Sequence, residues 1–186
     1  FSVKPLQRFF SSQGMELLRV ERIPTKGGSM RYFIQRKGGP RPVDPSVSAA
    51  IAEEEKAGIH RTETFRAFSD RIRKAGDEVC KRLKAYRGQG KRIAGYGASA
   101  TTTTFLYHFG ANEFLDFLVD ENPAKIGLFS PGYHIPVLAP DALLERKPDF
   151  TLIIAWRYAD PIMKKNRPYV EQGGRFIIPL PDVREI

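Results

Sequence analysis

The residues best suited to ligand chemistry begin at Gly95-Tyr96-Gly97-Ala98-Ser99-Ala100, which breaks the apolar run Arg92-Ile93-Ala94 and opens a segment of helical period. In such a turn Gly95 permits a sharp bend and Gly97 lets backbone approach a ligand. The free amides at the start of the helix then face an anion. Asp120 follows Gly97 by 23 residues, about where an acidic side chain reaches a ribose hydroxyl in dinucleotide folds. The alternative is a tight strand-to-helix turn that binds nothing, with Ala98 and Ser99 amides bonded inside the chain.

A second set follows at once. Asp120, Glu121, Asn122 and Lys125 have the chemistry to grip a ribose, a base edge or a diphosphate, and equally to pin a loop through turn and capping hydrogen bonds. His134, beside Tyr133, lies in the same long loop, as a ligand contact or as a loop histidine bonded to backbone. Trp156 at a later strand exit stacks on a base or packs. His60, His108 and His134 share no metal-ligand spacing and Cys80 is remote from them, so no metal site is expected. Neither G-x-S-x-G nor a P-loop lysine pattern occurs.

These residues need a scaffold, and the apolar pattern supplies one. Strand, glycine turn, helix and a second strand over Phe114 to Val119 read as half of a doubly wound sheet. A short helix from Pro140 to Arg146, a buried strand from Phe150 to Ala155, a helix begun by Asp160-Pro161 and a strand from Arg175 to Pro179 complete it. The expectation is an α/β fold: a Rossmann-like, mostly parallel sheet over residues 89–186 with helices on both faces. Residues 38–88 read as a Pro/Gly-rich linker and two amphipathic helices, the longer carrying Phe65, Phe68, Ile72, Ala75, Val79, Leu83 and Tyr86 as a packing stripe. Residues 1–37 read as a helix and a β-hairpin, too little to bury a core alone. Their open edges invite pairing with another chain, a route to a homodimer alongside the basic helices.

The net charge of +9 is uneven: residues 1–92 carry +11 and residues 93–186 carry −2. The basic residues alternate with acids along helices and accompany no groove-reading motif, which points away from nucleic acid and toward a solvated or domain-covered face. No apolar run approaches a membrane span. One cysteine allows no disulfide within the chain and suits a reducing cytoplasm.

The segments GYGASATTTTFL, FLVDENPAKIGLFSPGYHIPV, PDFTLIIAWRYAD and GGRFIIPLP together resemble the C-terminal domain of SAM-dependent sugar C-methyltransferases, which act on nucleotide-linked keto-deoxysugars. Residues Phe1 to Gln35, with the Gly27-Gly28-Ser29-Met30-Arg31 turn, resemble the closing helix and hairpin of that family's methyltransferase domain. The resemblance implies a three-part enzyme: a zinc-binding piece, a central SAM-binding domain and this Rossmann-like domain. A proton is removed beside a keto group and the enolate attacks the SAM methyl. The zinc cysteines, SAM loop and Glu-His base motif belong upstream in that scheme, so this chain is expected to be the inactive C-terminal piece. Its implied partners are a nucleotide-linked sugar and the SAM-binding domain. Many relatives place Lys-Gly where this chain has Thr101-Thr102, which offer a phosphate only hydroxyl and backbone donors. Two rival expectations stand beside this one: an NAD-binding oxidoreductase domain, from the glycine turn and Asp120, and a non-catalytic Rossmann-like scaffold.

Overall fold

The structure is a computed structural model and describes residues 1–186 apart from the side chain of Lys26. It forms two compact units, Phe1–Ser69 and Asp70–Ile186.

In the first unit α1 (Val3–Ser12) precedes an antiparallel hairpin of β1 (Met15–Ile23) and β2 (Ser29–Arg36), and α2 (Ser46–Lys56) follows. The hairpin is not short of a covering surface, as the sequence suggests. Val47 and Ala50 of α2 close a small core with Val3, Leu17 and Val20. Glu54 of α2 also accepts the Val3 and Lys4 amides, capping α1 with a carboxylate from another helix. Two groups on the outer edge of β1 are met within the chain: Val20 donates to Ser46 Oγ at 3.1 Å and Leu18 accepts from Asp44 at 2.8 Å.

The boundary between the units falls within α3 (Thr62–Gly88), and the expected stripe behaves differently on its two sides. Phe65 and Phe68 are 57% and 52% exposed. Val79 and Leu83 are fully buried, and Tyr86 stacks on Phe150 at 3.9 Å between ring centroids. An apolar period marks which residues share a helix face, but not how far the partner surface extends along it.

The second unit contains β3 (Ile93–Tyr96), α4 (Ala100–Phe109), β4 (Phe117–Val119), β5 (Val137–Leu138), α5 (Ala142–Arg146), β6 (Phe150–Ile153), α6 (Ala159–Lys165), α7 (Arg167–Glu171), β7 (Arg175–Ile178) and β8 (Arg184–Glu185). The sheet order is β5-β4-β3-β6-β7-β8, parallel except for β8 at one edge. This is the expected Rossmann-like α/β fold. Strand order reverses between β3 and β6, the topological switch point. One face packs α3 and α4 through Val79, Leu83, Phe105, Leu106, Leu118 and Leu152. The other packs α5, α6 and α7 through Leu143, Ile162 and Tyr169 against Tyr96, Phe117 and Phe176. Strands buried on both faces read as unbroken apolar runs, which is why β3, β6 and β7 were visible in the sequence.

Several boundaries differ. β4 begins at Phe117 because Ala111–Phe114 forms a 3-10 turn. The helix expected from Asp160 breaks at Asn166 into α6 and α7. β5 and β8 were not anticipated; a strand of two residues has no period to read.

Gly95 is not a turn residue. It lies inside β3, where an added Cβ would come within 2.5 Å of Leu118 Cδ2 and 3.2 Å of Ile154 Cδ1. Its missing side chain lets neighbouring strands fill one face of the sheet. At the amino ends of the strands two aspartates tie connections together. Asp116 accepts Arg87 Nη1 and Nη2 at 3.1 and 2.9 Å and the Ile93 amide at 3.1 Å. Asp149 accepts Lys91 Nζ at 2.8 Å and the Arg92 amide at 2.9 Å.

Candidate functional site

The chain leaves β3 through Gly97, whose φ of +103° lies where side chains are rarely tolerated. A Cβ there would stand 2.9 Å from the Ala155 Cβ, so the bare backbone packs close against the exit of β6. The next two amides are both spent. Ala98 donates to Asp120 Oδ2 at 2.7 Å, and Ser99 donates to Thr102 Oγ1 at 3.2 Å. The buried Thr102 hydroxyl in turn donates to the Gly97 carbonyl at 2.7 Å. These two amides therefore face the chain's own oxygens, and an acid from the adjacent strand exit closes the turn.

Asp120 is equally committed. Its other oxygen accepts the Asn122 amide at 2.9 Å, and Lys125 Nζ lies 3.2 Å from Oδ2. Burial opposes the carboxylate's charge, but the Ala98 and Asn122 amides and the Lys125 ammonium outweigh it and hold the carboxyl below its ordinary range. Asn122 accepts the Ala124 amide at 3.0 Å, the loop-pinning role.

Two grooves flank this locked turn. The first, of about 510 Å³, lies between the opening of α4 and the loop from Lys125 to Pro131. Leu118 and Val137 are among its apolar lining, and Ser99, Thr103, Ser130 and Lys125 contribute polar groups. Leu128 and Phe129, also in its wall, are exposed. The second, of about 370 Å³, sits on the α6 side at the exits of β3, β4 and β6, and Tyr158, Ile162 and Lys165 line it. Tyr96 donates its hydroxyl to Glu121 Oε1 at 2.9 Å and Lys165 Nζ lies 2.9 Å from Glu121 Oε2. Burial pushes the Tyr96 hydroxyl up to about 12, the Asn166 donor opposing and Glu121 reinforcing. The Lys165 hydrogen bond, then that of Tyr96, lowers the Glu121 carboxyl.

The sequence-expected residues thus divide. Ala98, Ser99 and Lys125 line the first groove, and Tyr96, Gly97, Asp120 and Glu121 line the second. Gly95, Asn122, His134 and Trp156 line neither. His134 is exposed at φ +52°, with its own amide bonded to the Ser130 carbonyl at 3.1 Å. Trp156 is half-buried against the α5–α7 core with the Arg157 guanidinium 5.0 Å from its ring. Thr103, Phe129, Tyr158 and Lys165 were missed. The one available signal was their closeness in sequence to strand exits and to the helix opening. Among the described residues no three His, Cys, Asp or Glu side chains gather as a metal-ligand group, and no helix is long and apolar enough to cross a membrane.

A Rossmann-like sheet with grooves at its carboxyl edge defines a broad class of ligand-binding domains. The family model for the C-methyltransferase C-terminal domain matches residues 24–181, and the chain belongs to that family. It is similar to the C-methyltransferase NovU of Streptomyces niveus, 32% identical over 187 residues that take in all of this chain and 44% of that protein. The chain therefore spans less than half the length of that curated relative.

Proposed function

We propose that this domain is the nucleotide-sugar-facing part of a cytoplasmic, SAM-dependent C-methyltransferase that acts on a nucleotide-linked keto sugar. Family membership supports the methyltransferase assignment. The observation that carries the substrate reading is the groove of about 510 Å³ beside the turn, with its apolar lining and its hydroxyls and Lys125. A deoxysugar has the same two-sided character, with apolar ring faces and hydroxyl edges, and a few placed polar groups in an apolar cleft fix such a ligand's orientation. Lys125 is already matched by Asp120, so the lining suits a neutral ring better than a diphosphate.

In this reading the chain's residues bind and orient the substrate, and no catalytic residue lies in the chain. SAM, held by the upstream domain, supplies the methyl group that a carbanion beside the keto group accepts. Titration of a nucleoside-diphosphate sugar into the full-length protein is expected to saturate. A flat response at millimolar ligand overturns the reading.

The scaffold alternative is favoured by one observation, the internal bonding of the Ala98 and Ser99 amides. Deletion of residues 90–186 with substrate affinity unchanged would establish it. The NAD alternative rested on the turn and Asp120, and both are committed to each other.

A further inference from the structure

The groove beside α4 owes its space to one stripe of that helix. Ala100, Thr103 and Thr104, spaced at i, i+3 and i+4, line it from the helix side, and the loop from Lys125 to Pro131 faces them. These helix side chains are small and leave the space open. Tyr107 is the next position on the stripe, four residues beyond Thr103. It does not line the groove, and it meets the same loop just past Pro131. The ring is 56% exposed, so core packing does not account for it.

The contact is close and specific. The Tyr107 and Tyr133 rings lie 4.5 Å apart between centroids at an angle of 34°, and Tyr133 packs against the core on the α3–α4 face. A Cβ on Gly132 would stand 1.8 Å from the Tyr107 hydroxyl, and Gly132 has a φ of +78°. Glycine is what lets the ring tip rest on the loop backbone. The loop itself is closed by its own bonds. Ser130 donates its amide to the Ile135 carbonyl at 2.8 Å and accepts the Ile135 amide on Oγ at 3.0 Å. The Leu128 carbonyl accepts the Val137 amide of β5 at 2.9 Å. A unit bonded to itself in this way moves as a whole, so a contact at its tip sets the position of the wall it carries.

Resting on the reading that this groove takes the sugar, we propose that Tyr107 is a positioning residue for the substrate. Its ring is a prop that fixes the distance between α4 and the loop, and with it the width of the groove. Tyr107 touches no substrate. It acts through the loop residues of the lining, Leu128 and Phe129 for a ring face and Lys125 and Ser130 for hydroxyls. A sugar between two walls keeps one orientation only while their separation is fixed, and misplacement of reacting atoms by about 1 Å can cost about 100-fold in rate.

The test uses calorimetric titration of the full-length protein with uridine, thymidine and adenosine diphosphate glucose, each beside its free nucleoside diphosphate. The ratio of the two affinities isolates the sugar's share. Tyr107→Ala is expected to lower that ratio about tenfold, whereas Tyr107→Phe, which keeps the ring, should stay close to wild type. Gly132→Ala drives the ring off the loop and should match Tyr107→Ala. The double variant should be no worse than either alone, because each change breaks the same contact. Affinity for the free nucleoside diphosphates should not move, which a general loss of structure would not allow. Tyr107 is exposed, so its two variants decide the matter even where Gly132→Ala melts early. A wild-type ratio in Tyr107→Ala overturns the prop while leaving the nucleotide-sugar reading intact. Wild-type protein that binds none of these nucleotide sugars overturns the reading on which the prop rests.

Discussion

The carboxylate of Asp120 accepts the Ala98 amide at 2.7 Å, across the gap between the exits of β4 and β3. An acid that the sequence places where a ribose would lie instead holds the glycine turn, and it does so as an ion balanced by Lys125. The turn's shape is therefore held by the chain's own hydrogen bonds, and the open space lies on either side of it.

Asp120→Ala removes the acceptor for two backbone amides, and hydrogen bonds to a charged group contribute about 1.5–3 kcal/mol each. The second unit is expected to lose about 3 kcal/mol or more, with Asp120→Asn losing less because its amide oxygen still accepts. The folded carboxyl titrates below its ordinary value, so its contribution is full above the unfolded value of about 3.9 and is lost as pH falls through the folded one. Urea midpoints across pH 2 to 7 check this: the gap between wild type and Asp120→Asn should shrink below about pH 4. A gap that stays constant into acid would contradict the ionic role.

Gly95 and Gly97 are both required, for different reasons. Gly95→Ala puts a methyl 2.5 Å from Leu118 Cδ2, and overpacking of this kind costs about 1–3 kcal/mol. A compensating Leu118→Ala should recover part of that loss. Gly97→Ala combines a φ of +103° with a 2.9 Å approach to Ala155, and trimming Leu118 should not rescue it. Chemical denaturation of wild type, the three single variants and the two doubles measures both couplings.

Tyr96 and Tyr169 give an alkaline signature. Burial pushes both hydroxyls up to about 12, and in Tyr169 the Thr151 and Arg175 hydrogen bonds oppose it. A raised folded value adds stability that is full below the unfolded value of about 10 and is lost as pH rises toward the folded one. Absorbance titration of the phenolate band should show two of the seven tyrosines ionising only with alkaline unfolding. In Tyr96→Phe that late step should involve one residue. Ionisation of all seven near pH 10 would contradict the burial of these two hydroxyls.

Asp116 ties Arg87 at the end of α3 to the opening of β3 through three hydrogen bonds. Asp116→Ala leaves the partly buried guanidinium and the Ile93 amide without this partner, and a loss of about 1–3 kcal/mol is expected. Adding Arg87→Ala should cost less than the sum of the single changes, because each single change already breaks the pair. Thermal unfolding of the four proteins completes the cycle.

The sequence by itself determined the sheet's class and the positions of its buried strands, because parallel strands covered on both faces must be apolar throughout. It also placed α4 after a glycine turn and put acids and a lysine at the next strand exit. Those are local properties of the chain: burial, permitted φ and the period of a helix. Tertiary structure alone decided what these groups touch. Asp120 meets Ala98 only because β4 pairs beside β3, and Gly95 is a packing residue only because Leu118 and Ile154 close over it. Tyr158 and Lys165 share a groove with Tyr96 only because the chain crosses back past the switch point. Hydrogen bonds and van der Waals contacts act over a few ångströms in space, whereas the residues that form these grooves lie tens of positions apart in sequence.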